Sequence, residues 1–196
     1  MNFTPRLHAA IALAAKLHEG QFRKDAEQTP YVSHVYGVMC ILSKYTTDED
    51  VLIAGLLHDV LEDVKLPYDE KMKIISDNFG EKVLHIVQGV SEEKDPMEKT
   101  DEKETWQDRK NKYLEKLRHE RPEVMLVSAA DKIHNLISMS QDYEKEGEAI
   151  WERFNSPVDK KVWFFEQVAA ALQGRLESGI VHELKGEVDK FKSKLR

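Results

Sequence analysis

The run Val51-Leu52-Ile53-Ala54-Gly55-Leu56-Leu57 leads straight into His58-Asp59-Val60-Leu61-Glu62-Asp63. No other stretch limits the fold so tightly. A helix this apolar on every side has to lie inside a core. At about 100° per residue, His58 aligns with Glu62 and Asp59 with Asp63, so four polar groups form one stripe on a buried rod. Leaving such groups unpaired away from water costs about 2–7 kcal/mol each. They need hydrogen-bond partners, solvent or a metal ion. The stretch predicts part of a metal-dependent active site whose other donors come from elsewhere in the chain.

The rest of the chain reads as helix. Thr4-Pro5 starts a first helix with Ala9, Ala10, Leu13, Ala14 and Leu17 on its apolar face, closed by Gly20. Residues 21–30 form a polar loop, and a second helix covers Val32 to Tyr45. Thr47 caps a third, from Asp48 to Glu62. Tyr68, Met72, Ile75 and Phe79 mark a fourth, stopped by Gly80, and Val83, Val87 and Val90 a fifth. Residues 91–103 are charged, contain Pro96 and read as a mobile connector. A sixth helix runs from Thr105 to His119. Pro122 opens a seventh, Val124 to Ser140, apolar almost all round except near Asp131, which places it at the centre of the fold. An eighth covers Val162 to Leu176.

The last segment spaces Val181, Leu184, Val188, Phe191 and Leu195 by threes and fours. That seam is barely two heptads long, which favours a helix packed on its own domain over a homodimer contact. The expected architecture is all-α: a single domain of about nine helices, eight of them within residues 1–180 and the ninth the amphipathic helix 181–196. A chain of 196 residues suits one sizeable core.

Composition narrows the partners. A net charge of −7 gives no overall attraction to nucleic acid or to an anionic membrane, while leaving room for a local cationic pocket. No apolar run is long enough to span a membrane, and the N-terminus shows no signal-peptide pattern. The lone Cys40 permits no internal disulfide and reads as a small core residue. A cytoplasmic protein is the expectation.

Ligand-type residues interrupt apolar helices at His34, at His58-Asp59 and at Asp131. Alone, each has a plain structural reading: a satisfied core histidine, or an aspartate paired with Lys132. Their joint order makes a mixed nitrogen and oxygen set, which suits Mn²⁺, Fe²⁺ or Zn²⁺ better than Ca²⁺.

Several segments together resemble a known family. They are His18-Glu19-Gly20-Gln21-Phe22-Arg23-Lys24, Pro30-Tyr31-Val32-Ser33-His34 with Gly37-Val38, and Leu56 to Asp63. Phe79-Gly80, Val90-Ser91 and Ala130-Asp131-Lys132-Ile133-His134-Asn135-Leu136 complete the set. Over about residues 6 to 175 the chain resembles the HD-domain metal-dependent phosphohydrolases, in particular the hydrolase domain of the RelA/SpoT alarmone enzymes and their small standalone relatives. The resemblance implies an HD helical fold in which His34, His58, Asp59 and Asp131 bind one Mn²⁺. It implies that Glu62 and Asp63 position or activate the attacking water. It further implies that Arg23 lies beside the base, Lys24 near phosphate and Asn135 near the ribose. The implied reaction removes the 3′-pyrophosphate of guanosine tetra- or pentaphosphate. With no synthetase domain following residue 196, the expected enzyme only degrades.

Three departures keep an alternative in view. Val35 replaces the usual proline after the first histidine, Val60-Leu61 stands for Thr-Val, and Ser91-Glu92-Glu93-Lys94 for Thr-Asp-Asp-Lys. None removes a proposed ligand, but a divergent member could act on another nucleotide, such as a nucleoside phosphate or a cyclic dinucleotide.

Overall fold

The structure, a computed structural model, describes residues 2–92, 106–154, 156–176 and 179–195. Helices α1 (Pro5–Leu17), α2 (Val32–Leu42), α3 (Glu49–Leu57), α4 (Val60–Asp63), α5 (Tyr68–Phe79) and α6 (Glu81–Val90) make up the first half. Helices α7 (Trp106–His119), α8 (Pro122–Glu146), α9 (Val158–Leu172) and α10 (Gly179–Lys194) make up the second, with a 3₁₀ turn at Gly147–Arg153. Among the described residues there is no strand. One isolated bridge, Phe22 with Pro30, closes the loop between α1 and α2.

The nine expected helices account for all ten α segments, because α3 and α4 are one expected helix interrupted. The continuous helix from Asp48 to Glu62 breaks at His58-Asp59, and the reason is local. His58 Nδ1 lies 2.8 Å from the Gly55 carbonyl, the acceptor that an unbroken helix gives to the amide of residue 59. A side chain competing for that carbonyl loosens the turn, and Asp59 relaxes to ψ −1°. The cap of α3 is Asp48, which accepts from the Asp50 amide at 3.0 Å, and not Thr47.

Helix α8 continues to Glu146, beyond the expected end at Ser140, and stops where Gly147 takes φ +62°. Helix α9 starts at Val158, four residues earlier than expected, directly after Pro157. Cys40 is exposed rather than in the core; with Ser33, seven residues before it, it lies on the outward face of α2. From residue 93 onward, the connector expected over 91–103 lies outside the described residues, as does Thr105.

Every residue from Val51 to Leu57 is buried, as a helix apolar all round requires. Burying each leucine contributes about 1.5–3 kcal/mol. Helix α8 is the axis of the fold, packed against α2, α3, α6, α9 and α10. Its buried residues include Val124, Met125, Val127, Ala129, Ala130, Ile133 and Leu136. The apolar seam of α10, with Ile180, Leu184, Val188 and Phe191 buried, packs on α8 and α9. At the other end Arg6 ties α1 to α3 and α5, through Glu49 at 3.0 Å, Asp50 at 2.6 Å and the Phe79 carbonyl at 2.7 Å. These contacts fix α2, α3 and α8 relative to one another, and the polar interruptions of those three helices meet where they cross.

Candidate metal centre and nucleotide cavity

His34 from α2, His58 and Asp59 from the α3–α4 break, and Asp131 from α8 converge on one point. His34 Nε2 lies 3.3 Å from His58 Nε2, 3.4 Å from Asp59 Oδ2 and 3.2 Å from Asp131 Oδ1. His58 Nε2 lies 3.0 Å from Asp59 Oδ2 and 3.7 Å from Asp131 Oδ1. Donors about 2.0–2.2 Å from a common divalent ion stand about 3.0 Å apart at a right angle and about 3.4 Å apart at a tetrahedral angle. The five measured separations fall around those edge lengths, which suits a divalent ion at His34, His58 and Asp59 with Asp131 alongside. His34, His58 and Asp59 form a ligand-type cluster, with one donor atom each within 4.8 Å of the others.

Without an ion, charge is balanced inside the cluster by a protonated His58 beside ionised carboxylates, and a bound cation would take the place of the proton on His58 Nε2. His58 Nδ1 faces a carbonyl and therefore donates, which turns Nε2 toward the cluster. Burial opposes the charge on His58, but the Asp59 carboxylate beside it and hydrogen bonds to Asp131 and Asp59 hold its pKa well above the usual imidazole range. Burial likewise opposes ionisation of Asp59, and it is outweighed by the His58 charge and by hydrogen bonds from both histidines. Asp131 stays ionised against burial through the Lys132 ammonium and both histidines. Lys132 forms an ion pair with Asp131 while lying 5.0 Å over the ring of Tyr113.

Outer residues aim this cluster. His34 Nδ1 meets His134 Nδ1 at 3.0 Å. Burial, with His34 and Arg23 nearby, pushes the His134 pKa down to about 4, so that ring is neutral and can accept. The ring also explains Gly37. A Cβ there would fall 2.0 Å from His134 Cδ2 and 2.2 Å from Nε2. Gly37→Ala is therefore expected to push His134 off His34 and weaken metal binding by about 10–100-fold, the usual cost of losing an outer-shell partner. Calorimetric titration with Mn²⁺ reads it. Unchanged affinity would show that His134 does not orient His34.

Tyr31 joins the two acidic groups of the site. Its hydroxyl donates to Asp59 Oδ2 at 2.6 Å and lies 3.0 Å from Asp63 Oδ2. Burial and the Asp59 and Asp63 charges push the phenol pKa far upward, so the group stays protonated. The ring stacks on the buried His18 at 5.0 Å, and His18 Nδ1 meets Gln21 Oε1 at 2.7 Å. Gln21 in turn donates to the Asp63 carbonyl at 2.8 Å.

The other expected site residues separate into two places. Arg23 donates to Asn135 Oδ1 at 2.8 Å, and Asn135 donates to Asp131 Oδ1 at 2.6 Å, so both stand beside the His-Asp cluster. Lys24 points elsewhere, its ammonium 5.9 Å over the ring of Phe154. The acidic pair divides too. Exposed Asp63 lines a cavity of about 1080 Å³, together with Arg23, Lys24, Tyr31, His134 and Asn135. Glu62 accepts the Glu92 amide at 2.9 Å, and the Glu92 carboxylate pairs with Lys110.

Sequence reasoning passed over Tyr31 and gave His134 no role beyond that of a non-ligand. Both lie three residues from a ligand, Tyr31 before His34 and His134 after Asp131, a spacing that shares a helix face. That spacing was the available signal.

A family profile described as HD domain matches residues 10–159. The bifunctional (p)ppGpp synthase/hydrolase SpoT of Escherichia coli K12 is 35% identical over 131 residues, which is 67% of this chain and 18% of that protein. The chain thus spans about a fifth of that relative's length. The guanosine-3′,5′-bis(diphosphate) 3′-pyrophosphohydrolase MESH1 of Homo sapiens is 34% identical over 185 residues, covering 92% of this chain and 93% of its own. Among solved structures, one described as "A metazoan ortholog of SpoT hydrolyzes ppGpp and plays a role in starvation responses" superposes with a TM-score of 0.75 at 26% identity, over 100% of this chain and 99% of that one.

Proposed function

The chain belongs to the HD domain family, and from that premise we propose that it is a divalent-metal-dependent hydrolase of guanosine tetra- and pentaphosphate, releasing the 3′-pyrophosphate and leaving GDP or GTP. The observation that carries this reading is the four-donor cluster of His34, His58, Asp59 and Asp131, set beside a cavity lined by cationic and aromatic side chains. Its two imidazoles and two carboxylates support Mn²⁺, with Fe²⁺ and Zn²⁺ compatible with the same donors. A divalent ion held there polarises a phosphoryl oxygen and makes water more acidic.

The chain's own residues do the rest. Arg23 and Asn135 orient the nucleoside beside the metal ligands. Asp63, held by Tyr31, faces the cavity as the carboxylate that takes the proton of the attacking water, and Glu62 supports it from the neighbouring position. Water adds to the phosphorus on the ribose 3′ oxygen. The bond from that phosphorus to the 3′ oxygen breaks, and the 3′ oxygen leaves with a proton.

The net charge of −7 favours a small polyanion met in a local cationic pocket over nucleic acid or a membrane surface. No helix among the described residues is long and apolar enough to cross a membrane. The lone Cys40 supports a cytoplasmic setting.

The test is pyrophosphate release from ppGpp by the Mn²⁺-loaded protein, set against a panel of other nucleotides. Turnover of ppGpp is expected. Turnover of a different nucleoside phosphate or a cyclic dinucleotide without it would transfer the assignment to that substrate. A companion variant, Tyr31→Phe, keeps the ring on His18 and removes only the hydroxyl. It is expected to lower Mn²⁺ affinity by about tenfold or more and to lower turnover at saturating metal. Wild-type values for both would dismiss the bridge between Asp59 and Asp63.

A further inference from the structure

Many described lysines outside the metal centre sit on a carboxylate. Lys44 pairs with Glu183 at 3.0 Å, Lys82 with Asp48 at 2.7 Å and Lys145 with Glu27 at 2.9 Å. Two lysines facing the cavity break this habit. Lys161, in the first turns of α9, lies 4.2 Å over the ring of Phe154, and Lys24 lies 5.9 Å over the same ring. Among the described residues neither ammonium has a carboxylate within ion-pair reach. The only polar partner shown at Lys24 is on its backbone: its carbonyl accepts from Arg153 Nη1 at 2.9 Å, which ties the loop to the segment carrying Phe154.

This arrangement is uphill for the protein alone. An aromatic face replaces only part of the hydration of a cation, and like charges drawn together repel. Burial, then the charges of Lys24 and Lys110, lower the Lys161 pKa to about 8. Asp25, Asp142 and Glu146 line the same cavity, yet none pairs with either ammonium, and two cations gathered over one ring are the electrostatic complement of an anion that arrives with a ligand.

The position says which anion. Arg23 and Lys24 are adjacent in sequence, yet Arg23 bonds to Asn135 beside the metal ligands while Lys24 reaches Phe154. The loop therefore spans the cavity between these two places. A nucleoside held with its 3′ phosphates at the metal carries its other phosphate chain on the ribose 5′ oxygen.

We infer that Lys161, which the fold brings beside Lys24 over Phe154, adds a contact to the 5′-phosphate chain of the nucleotide and makes the enzyme discriminate by 5′ phosphorylation. The inference rests on the proposed function for the identity of the substrate, and not for the existence of the contact. Lys161 is a specificity residue here, remote from the bond that breaks.

The experiment compares two substrates, guanosine 3′-diphosphate 5′-diphosphate and guanosine 3′-diphosphate with a free 5′ hydroxyl. The quantity read is the ratio of their kcat/KM values in the Mn²⁺-loaded protein. Lys161→Met is expected to lower that ratio by about tenfold or more, the scale of a lost charge-assisted contact, while Lys161→Arg keeps it within about threefold. Thermal melting checks that both variants fold. An unchanged ratio in a folded Lys161→Met protein overturns the contact.

A wild type that hydrolyses neither substrate overturns the proposed function instead. The contact is then read by calorimetric titration with GDP and with guanosine. A preference for GDP that Lys161→Met abolishes upholds it, and a preference that survives overturns it.

Discussion

His58→Ala is expected to lose the bound divalent ion and hydrolysis together. Loss of an outer-shell partner costs about 10–100-fold in metal affinity or activity. Loss of a donor should exceed that range, because His58 Nε2 lies within 3.0 Å of Asp59 and 3.7 Å of Asp131 and is central to the cluster. There is a second consequence in the metal-free protein. The imidazole that helps to keep Asp59 and Asp131 ionised would be gone, leaving two buried carboxylates with less opposing charge. Removing one member of a buried charge pair commonly costs about 3–5 kcal/mol. The measurements are metal content after dialysis, pyrophosphate release and melting temperature. A variant retaining one equivalent of metal and wild-type turnover would refute the assignment of the centre.

The second large effect separates metal binding from proton transfer. Glu62→Gln and Asp63→Asn are expected to keep the ion, while kcat falls by about 10²–10⁴-fold for whichever carboxylate takes the water proton. Both changes keep the shape and one acceptor oxygen. In Glu62→Gln the remaining amide oxygen could still accept from the Glu92 amide, which is now 2.9 Å from Glu62 Oε1. In Asp63→Asn the side-chain amide can donate to the Tyr31 hydroxyl oxygen, now 3.0 Å from Asp63 Oδ2. A drop in turnover therefore reports lost basicity rather than lost position. Since Asp63 lines the cavity and Tyr31 links it to a metal ligand, the larger drop is expected there. Equal turnover in both variants and the wild type would remove the acidic pair from the chemistry.

How far the sequence could be read depended on the range of the interaction concerned. Helix faces are set by neighbours three and four residues apart, so the all-round apolar α3 and α8 were legible from spacing, while the stripe of α1 was legible only in part: Ala10 and Ala14 are buried, but Ala9 is exposed and Leu7 is buried in its place. The interruption at His58-Asp59 was not. It comes from a side chain taking a backbone carbonyl within its own turn, which no hydrophobic pattern records. Cys40 misled because α2 is apolar on nearly all sides, and only its packing partners decide which side faces water. The residues of the His-Asp cluster were legible as polar interruptions of apolar helices. Tyr31 was not, since an aromatic near a helix start reads as core until its hydroxyl is seen between Asp59 and Asp63. Lys161 left still less trace. Within Asp159-Lys160-Lys161 it reads as ordinary helix surface, and only the fold brings it beside Lys24 over Phe154.

The carbonyl of Gly55 that fixes the His58 ring has one more implication. The ring is locked by the fold of α3, whose burial depends on leucine, isoleucine and valine and not on an ion. The rotational freedom that a histidine normally gives up on capturing a metal has already been given up during folding. Chelation should then empty the socket without melting the helices around it, unlike small zinc domains that unfold when stripped. Such a protein is expected to be emptied and refilled with its helix content unchanged, which circular dichroism during chelation and metal addition would read.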